Sequence, residues 1–143
     1  MATTVQIRPY EAGDVSFIFS SWLKSYRGSP VVRSVPNTIY YAKHHEVIEK
    51  ILSAAGTEVW VACHEDSPEN ILGYVVATHG NDSVTIHWVY SKQMVRMQGL
   101  AGRLIKKAID GSHNPVSYTH YTKMVDILKG DAKASYNPYL LWE

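Results

Sequence analysis

Between Val89 and Ile109 the chain reads VYSKQMVRMQGLAGRLIKKAI, an extended segment that enters a glycine-bearing turn and then an amphipathic helix. Leu104, Ile105, Ala108 and Ile109 recur at helical spacing, Lys106 and Lys107 point outward, and Gly111 is the expected stop. The turn holds Arg96-Met97-Gln98-Gly99-Leu100-Ala101, followed by Gly102 and Arg103. Small residues let a backbone approach a ligand closely, and the first N–H groups of a helix have no partner within it. Added to the positive end of the helix dipole, these donors suit a phosphate. A strand feeding a helix through so short a turn needs further strands to pack on.

The rest of the chain supplies them. Val5–Pro9 alternates briefly and reads as a first strand. Asp14 is the expected N-cap of a helix bearing Val15, Ile18, Phe19, Trp22, Leu23 and Tyr26, with Gly28 as its stop. After a loop with two prolines, Asn37 or Thr38 begins a second helix, carrying His44, Val47, Ile48, Ile51, Leu52 and Ala55 on one face up to Gly56. The period then becomes extended. Glu58–Cys63, Ile71–His79 and Ser83–Ser91 read as three strands, separated by a polar loop at His64–Asn70 and a hairpin turn at Gly80-Asn81-Asp82. In the third, Val84, Ile86, Trp88 and Tyr90 are expected on one face and Thr85, His87 and Val89 on the other. Beyond the glycine turn and its helix, Val116–Tyr121 reads as a strand, Thr122–Lys129 as a short helix and Tyr139–Trp142 as a last strand.

The order β-α-α-β-β-β-α-β-α-β predicts an α/β (mixed α+β) fold with a central mixed, twisted sheet flanked by helices. With 143 residues, the expectation is one domain over residues 1–143. A net charge of +1 demands neither nucleic acid nor membrane, but it is unevenly spread. Residues 1–56 carry +2, residues 57–91 carry −5 and residues 92–143 carry +4, so the basic excess begins at the phosphate-type turn. The single cysteine, Cys63, excludes an intramolecular disulfide framework and fits a reducing compartment. Without a long apolar span, a soluble cytoplasmic protein is expected, as monomer or homodimer, with no membrane partner.

The turn at Arg96–Ala101 fits Q/R-x-x-G-x-G/A and resembles the acyl-CoA pyrophosphate loop of the GCN5-related N-acetyltransferase superfamily. The stretch I-R-P-Y-E-A-G-D-V at residues 7–15 resembles the common start of that family, and the element order matches its layout. The resemblance implies the acyl-CoA N-acyltransferase fold and direct acyl transfer from acetyl-CoA, or another acyl-CoA, to an amine of a small molecule or protein. It also implies that the fourth and fifth strands splay apart to admit the cofactor arm. Backbone groups of Val89, Tyr90 and Ser91 would then pair with the pantetheine amides. Those of Arg96, Met97, Gln98, Gly99, Leu100, Ala101 and Gly102 would hold the pyrophosphate, with charge from Arg96 and Arg103.

The catalytic half departs from the family pattern. Thr85 stands where some relatives carry a glutamate base, and His87, two residues on, is suited to relay a proton near neutral pH. His87 reads equally well as a half-buried strand histidine bonded to a neighbour. The acid for the departing thiolate is expected at Tyr121, with Tyr136 second, because the usual Asn-x-x-Ala helix start and its tyrosine are missing. The thirteen residues after Gly130 are too few for the usual closing hairpin, so part of the acceptor site is expected from Ser29–Tyr41 or a second subunit.

Seven histidines invite a metal reading, but no H-x-x-x-H pair exists, and adjacent His44 and His45 diverge by about 100° on a helix, so no metal is expected. Cys63 reads as a small buried residue. The aromatic and basic stretch Lys24, Tyr26, Arg27, Arg33 and Tyr40 keeps a nucleic-acid-modifying or nucleic-acid-binding protein as the alternative, and a non-catalytic interaction protein as a third.

Overall fold

The computed structural model describes residues 5–80, 83–92, 99–109, 116–120 and 135–138. Its elements are β1 (Val5–Pro9), a 3-10 turn (Ala12–Asp14), α1 (Val15–Tyr26), α2 (Asn37–Ser53), β2 (Thr57–His64), β3 (Ser67–His79), β4 (Val84–Ser91), α3 (Leu100–Ala108), β5 (Val116–Tyr118) and β6 (Ser135–Tyr136). They form one six-stranded sheet in the order β1-β2-β3-β4-β5-β6. Each of the first four strands runs antiparallel to its neighbour, whereas β5 joins β4, and β6 joins β5, in parallel. The expected mixed sheet is therefore present. The expected helix at Thr122–Lys129 and strand at Tyr139–Trp142 lie outside the described residues, and the last described strand is the short β6 upstream.

The sheet separates two cores. α1 and α2 cover one face with Ile18, Trp22, Tyr26, Tyr40, Ile48 and Ile51 against Val59, Val61, Tyr74, Val76 and Trp88. α3 covers the other with Leu100, Leu104, Ile105 and Ala108 against Leu72, Val75, Ala77, Ile86, Val116 and Tyr118. The Tyr74 hydroxyl donates to the Ile18 carbonyl at 3.0 Å, and that of Tyr40 donates to the Leu23 carbonyl at 2.6 Å. These bonds tie α1 to the sheet and α2 to α1.

Several boundaries differ from expectation for identifiable reasons. Asp14 does not cap α1 with its side chain. It accepts two hydrogen bonds from Arg8, at 2.8 and 3.1 Å, and one from the Glu11 amide at 2.7 Å. Arg8 also donates to the Pro68 carbonyl, so one guanidinium joins β1, the entry to α1 and β3. Neither Asn37 nor Thr38 caps α2, whose N-cap position is Pro36, and the side-chain Oδ1 of Asn37 accepts from Arg27 Nε at 2.8 Å. The polar loop at His64–Asn70 shrinks to a turn at Glu65-Asp66, because β3 begins at Ser67.

Two irregularities overturn strict alternation. On β3, Ala62 pairs with Gly73 and Cys63 with Ile71, which leaves Leu72 as an extra residue. On β4, Val76 pairs with Trp88 and Ala77 with Ile86, which leaves His87 extra. A bulge of this kind shifts every later side chain to the opposite face. Ile86 accordingly faces α3, Trp88 and Tyr90 face α1 and α2, and Val89 returns to the α3 side. The expected grouping of Val84, Ile86, Trp88 and Tyr90 on one face is thus wrong past Ile86.

Gly73 seats α3 on the sheet. A Cβ there would lie 2.5 Å from the Tyr90 carbonyl oxygen and 3.3 Å from Leu100 Cδ2 and Leu104 Cδ1. Gly73→Ala is expected to destabilise by about 2 kcal/mol, the usual scale of overpacking, measured by urea unfolding. Gly102→Ala, whose added carbon meets no other described residue within 4 Å beyond the helix's own backbone, should leave stability equal or raised.

Candidate functional site

Gly99 opens α3 at φ 70°, ψ 21°, the left-handed region that glycine adopts without strain. The buried Leu100 follows, and Arg103 is the next amide that bonds back, donating to the Gly99 carbonyl at 3.2 Å. The amides of Leu100, Ala101 and Gly102 therefore lie in the first turn, where a helix offers its N–H groups no internal acceptor. Gly99, Gly102 and Arg103 are exposed, and among the described residues nothing beyond the adjoining backbone lies within 4 Å of where a Cβ on either glycine would stand. Arg96, Met97 and Gln98 lie outside the described residues. A cleft of about 470 Å³ opens at the same end of the sheet, on the α1 face, between the Arg8–Asp14 pair, Phe17 and Lys92.

Alongside this helix end, β4 loses its second neighbour. β5 pairs with it only from Val84 to Ile86, and the Thr119 amide makes the last bond, to the Ile86 carbonyl at 3.3 Å. Trp88 through Ser91 pair with β3 alone among the described residues. Among the described residues, β5 does not continue alongside Val89 and Tyr90, and the side of β4 that faces away from β3 is where an extended ligand could add as a strand. The Tyr90 ring stacks on Tyr74 at 5.5 Å, so its side chain is spent on the α1 core while its backbone stays at the edge.

Where the strands part, a continuous hydrogen-bonded chain crosses the α1–α2 face. Thr57 Oγ1 meets Thr78 Oγ1 at 2.8 Å, and Thr78 Oγ1 meets His87 Nε2 at 2.9 Å. His87 Nδ1 meets Thr119 Oγ1 at 3.0 Å, and Thr119 Oγ1 meets His120 Nδ1 at 2.9 Å. His120 Nε2 then meets His44 Nε2 of α2 at 2.8 Å. His87, Thr119 and His120 are buried, while both ends, Thr57 and His44, are half-buried. Aromatic rings enclose the inner end. Trp22 lies 5.1 Å from His120 and Tyr26 4.7 Å, and Tyr40 stacks on His44 at 5.5 Å.

Burial in this ring-lined interior favours neutral imidazoles. His44 and His87 are each pushed down to about 4 by desolvation. His120 falls well below 6.5, first by desolvation and then by the neighbouring His44 and His87. All three are uncharged at neutral pH, each with one N–H donor and one acceptor nitrogen.

The chain of histidines unites one expected residue, His87, with three that sequence reasoning did not connect to it: Thr119, His120 and His44. The expected acids are not gathered here. Tyr121 lies outside the described residues. Tyr136 stacks on Tyr118 at 5.3 Å, and Tyr118 belongs to the α3 core, so Tyr136 and His87 are on opposite faces. Its hydroxyl pKa is raised by partial burial and by Tyr118, which keeps it protonated at neutral pH.

Other signals resolve into structure. His45 is exposed, stacked on Phe19 at 4.5 Å, and Cys63 is buried. Among the described residues no three His, Cys, Asp or Glu side chains are placed to hold a metal, and no helix is long and apolar enough to cross a membrane. In the aromatic and basic stretch, Tyr26 and Tyr40 are core residues. Arg27 donates to the Val32 and Val35 carbonyls while lying over the Tyr40 ring at 4.9 Å.

Neither the protein-family models nor the curated proteins contain a match to this chain. Solved structures do match in fold. One, from Pyrococcus furiosus and assigned as an acetyl transferase, superposes with a TM-score of 0.66 at 18% identity, over 97% of this chain and 89% of that one. A transcriptional regulator from Bacillus halodurans C-125 gives 0.55 at 21%, covering 89% of each chain. The aminoglycoside N-acetyltransferase AAC(6')-Iy, in complex with CoA, gives 0.50 at 14%, over 91% and 85%. Since one scaffold serves proteins with such different names, the activity has to be argued from the site.

The buried histidines set a pH dependence of stability. Their folded pKa values lie below the usual 6.5, so the unfolded chain binds more protons between about 6.5 and 4. Stability should be full above pH 6.5 and fall as pH drops through that window. Thermal unfolding from pH 7.5 to 4.5 measures it, and His87→Gln should flatten the slope.

Proposed function

We propose that this chain, which carries the GCN5-related N-acetyltransferase fold, is an acyl-CoA-dependent N-acyltransferase that takes its acyl group from acetyl-CoA and passes it to an amine. The observation that carries the reading is a juxtaposition: the glycine-opened first turn of α3 beside the stretch of β4 past Ile86, which β5 does not accompany among the described residues, just beyond the His87 bulge. A glycine-opened helix start suits a pyrophosphate, and an open strand edge suits the amides of a pantetheine arm. Few other ligands need both at once.

The residues present fit that donor. Amides of Gly99, Leu100, Ala101 and Gly102, with Arg96, Met97 and Gln98 before them, would hold the phosphates, and Arg103 would add charge. The backbone of Val89, Tyr90 and Ser91 would bind the arm as an added strand. When bound, the donor supplies an activated thioester carbonyl. At the parting of β4 and β5, His87 would help to move the proton that the amine must lose, and Tyr121 or Tyr136 would protonate the departing sulfur. The strand geometry supports His87 in this role more directly than either tyrosine, since it lies in the bulge itself.

Acetyl-CoA at 100 times its Kd is expected to stabilise the protein by about 2.7 kcal/mol. Gly102→Glu, which places a carboxylate in the open space above the first turn, should abolish that stabilisation. It should not lower the unliganded Tm, because glutamate is the better helix former and its charge suits a helix start. No change in Tm with millimolar acetyl-CoA would overturn the reading.

A further inference from the structure

We propose that His44, His120, Thr119, His87, Thr78 and Thr57 form a proton relay that takes a proton from the acceptor amine at the β4–β5 opening and releases it to water at the start of β2. The inference rests on the acyl-transfer reading above and adds to it a route, an entry and an exit.

The argument begins with the kind of group at each position. Five consecutive contacts of 2.8, 2.9, 3.0, 2.9 and 2.8 Å link six side chains from α2, β2, β3, β4 and the end of β5. Every member can both donate and accept, since a hydroxyl does both and a neutral imidazole does one at each nitrogen. No carboxylate, lysine or arginine is bonded to any of them among the described residues. All five bonds can therefore run from His44 to Thr57 or all from Thr57 to His44, with each contact satisfied either way. A chain built only for stability gains nothing from this symmetry, and burying so many polar groups in an aromatic core carries a cost that apolar side chains would avoid.

The ends are as informative as the middle. Thr57 lies between the exposed Gly56 and Glu58, so one end reaches the surface. His44 ends the chain on α2, next to His120, which follows the last residue bonded to β4 before the strands part. The inner members are sealed from water by Trp22, Tyr26 and Trp88, whose rings lie 5.1, 4.7 and 5.9 Å from His120.

The step balances. As the amine nitrogen bonds to the acyl carbon, its proton goes to His44 Nδ1 and the Nε2 proton of His44 goes to His120 Nε2. The Nδ1 proton of His120 passes to Thr119, that of Thr119 to His87 Nδ1, and the Nε2 proton of His87 to Thr78. Thr78 passes its proton to Thr57, which releases one to water. Breaking the carbon–sulfur bond leaves a thiolate. A proton taken from water at Thr57 then returns along the same route and reverses each contact. It releases the Nδ1 proton of His44, which neutralises the thiolate directly or through water, so one proton leaves the amine and one reaches the sulfur.

Thr119→Val removes the central hydroxyl with little change of shape, and Thr119→Ser restores it. In nitrogen-15 spectra at pH 7, the wild type should show neutral His87 and His120 with slowly exchanging imidazole N–H groups; in Thr119→Val both should stay neutral, and the slow exchange should be lost. Coenzyme A release from acetyl-CoA is followed with a primary amine found by screening. In that assay Thr119→Val should lower kcat by about 100-fold or more with unchanged acetyl-CoA affinity, and Thr119→Ser should recover it. A curved dependence of kcat on deuterium fraction should become linear in the valine variant. Wild-type kcat in Thr119→Val, or charged or independently exchanging imidazoles in the wild type, would overturn the relay while leaving acyl transfer intact. Absence of acetyl-CoA binding or of turnover with every amine would overturn both, and the spectra alone would then report whether the chain exists.

Discussion

The extra residue at position 87 is the constraint on which the arrangement of the site depends. One unpaired residue in β4 changes which side chains face α1 and α2 and which face α3. It brings His87 and Trp88 to the same side, so that a polar side chain meets Thr78 and Thr119 while its neighbour packs on Trp22 at 5.7 Å. It also marks the level beyond which β5 no longer follows β4. Among the described residues, the parting of β4 from β5, a buried imidazole and an aromatic wall thus meet at one local irregularity in pairing.

The second element is the seating of α3. A helix start can approach an extended ligand only if the helix axis is pressed onto the sheet, and here Gly73 allows it. Leu100 and Leu104 occupy the space that a side chain at position 73 would fill, and Ser91, the register partner of Gly73, is the last residue of β4. The end of β4 and the beginning of α3 are consequently neighbours. The Arg8–Asp14 pair works at the same end of the sheet, joining β1 and the entry of α1 to the beginning of β3. Its partners lower the Asp14 pKa chiefly through the Arg8 hydrogen bond, opposed by burial.

The polar chain crossing the aromatic core sets one physical effect against another. Desolvation makes charged histidines unfavourable there, which keeps the three imidazoles neutral. The same low polarity strengthens hydrogen bonds between neutral partners and makes a missing partner costly. Three histidines and three threonines satisfy these demands jointly, because each supplies what its neighbour lacks.

Much of the fold was legible in the sequence, for a periodic reason. Helices that bury one face show a 3.6-residue repeat and half-buried strands a repeat of two, so α1, α2, α3 and the β2–β3–β4 meander could be placed from the spacing of apolar residues. The glycine turn declared itself similarly, because a left-handed residue before a helix favours glycine. Bulges leave no such mark. Nothing in the alternation of β4 shows that His87 is unpaired, because a register is a relation between two strands. The meeting of His44 with His120, 76 residues apart, is likewise a product of packing. Sequence determined the elements and the glycine that opens α3, which depend on local spacing and backbone preference. Only the tertiary structure decided which side chains share a face and touch, because contact across strands and helices is set by register and by the approach of distant segments.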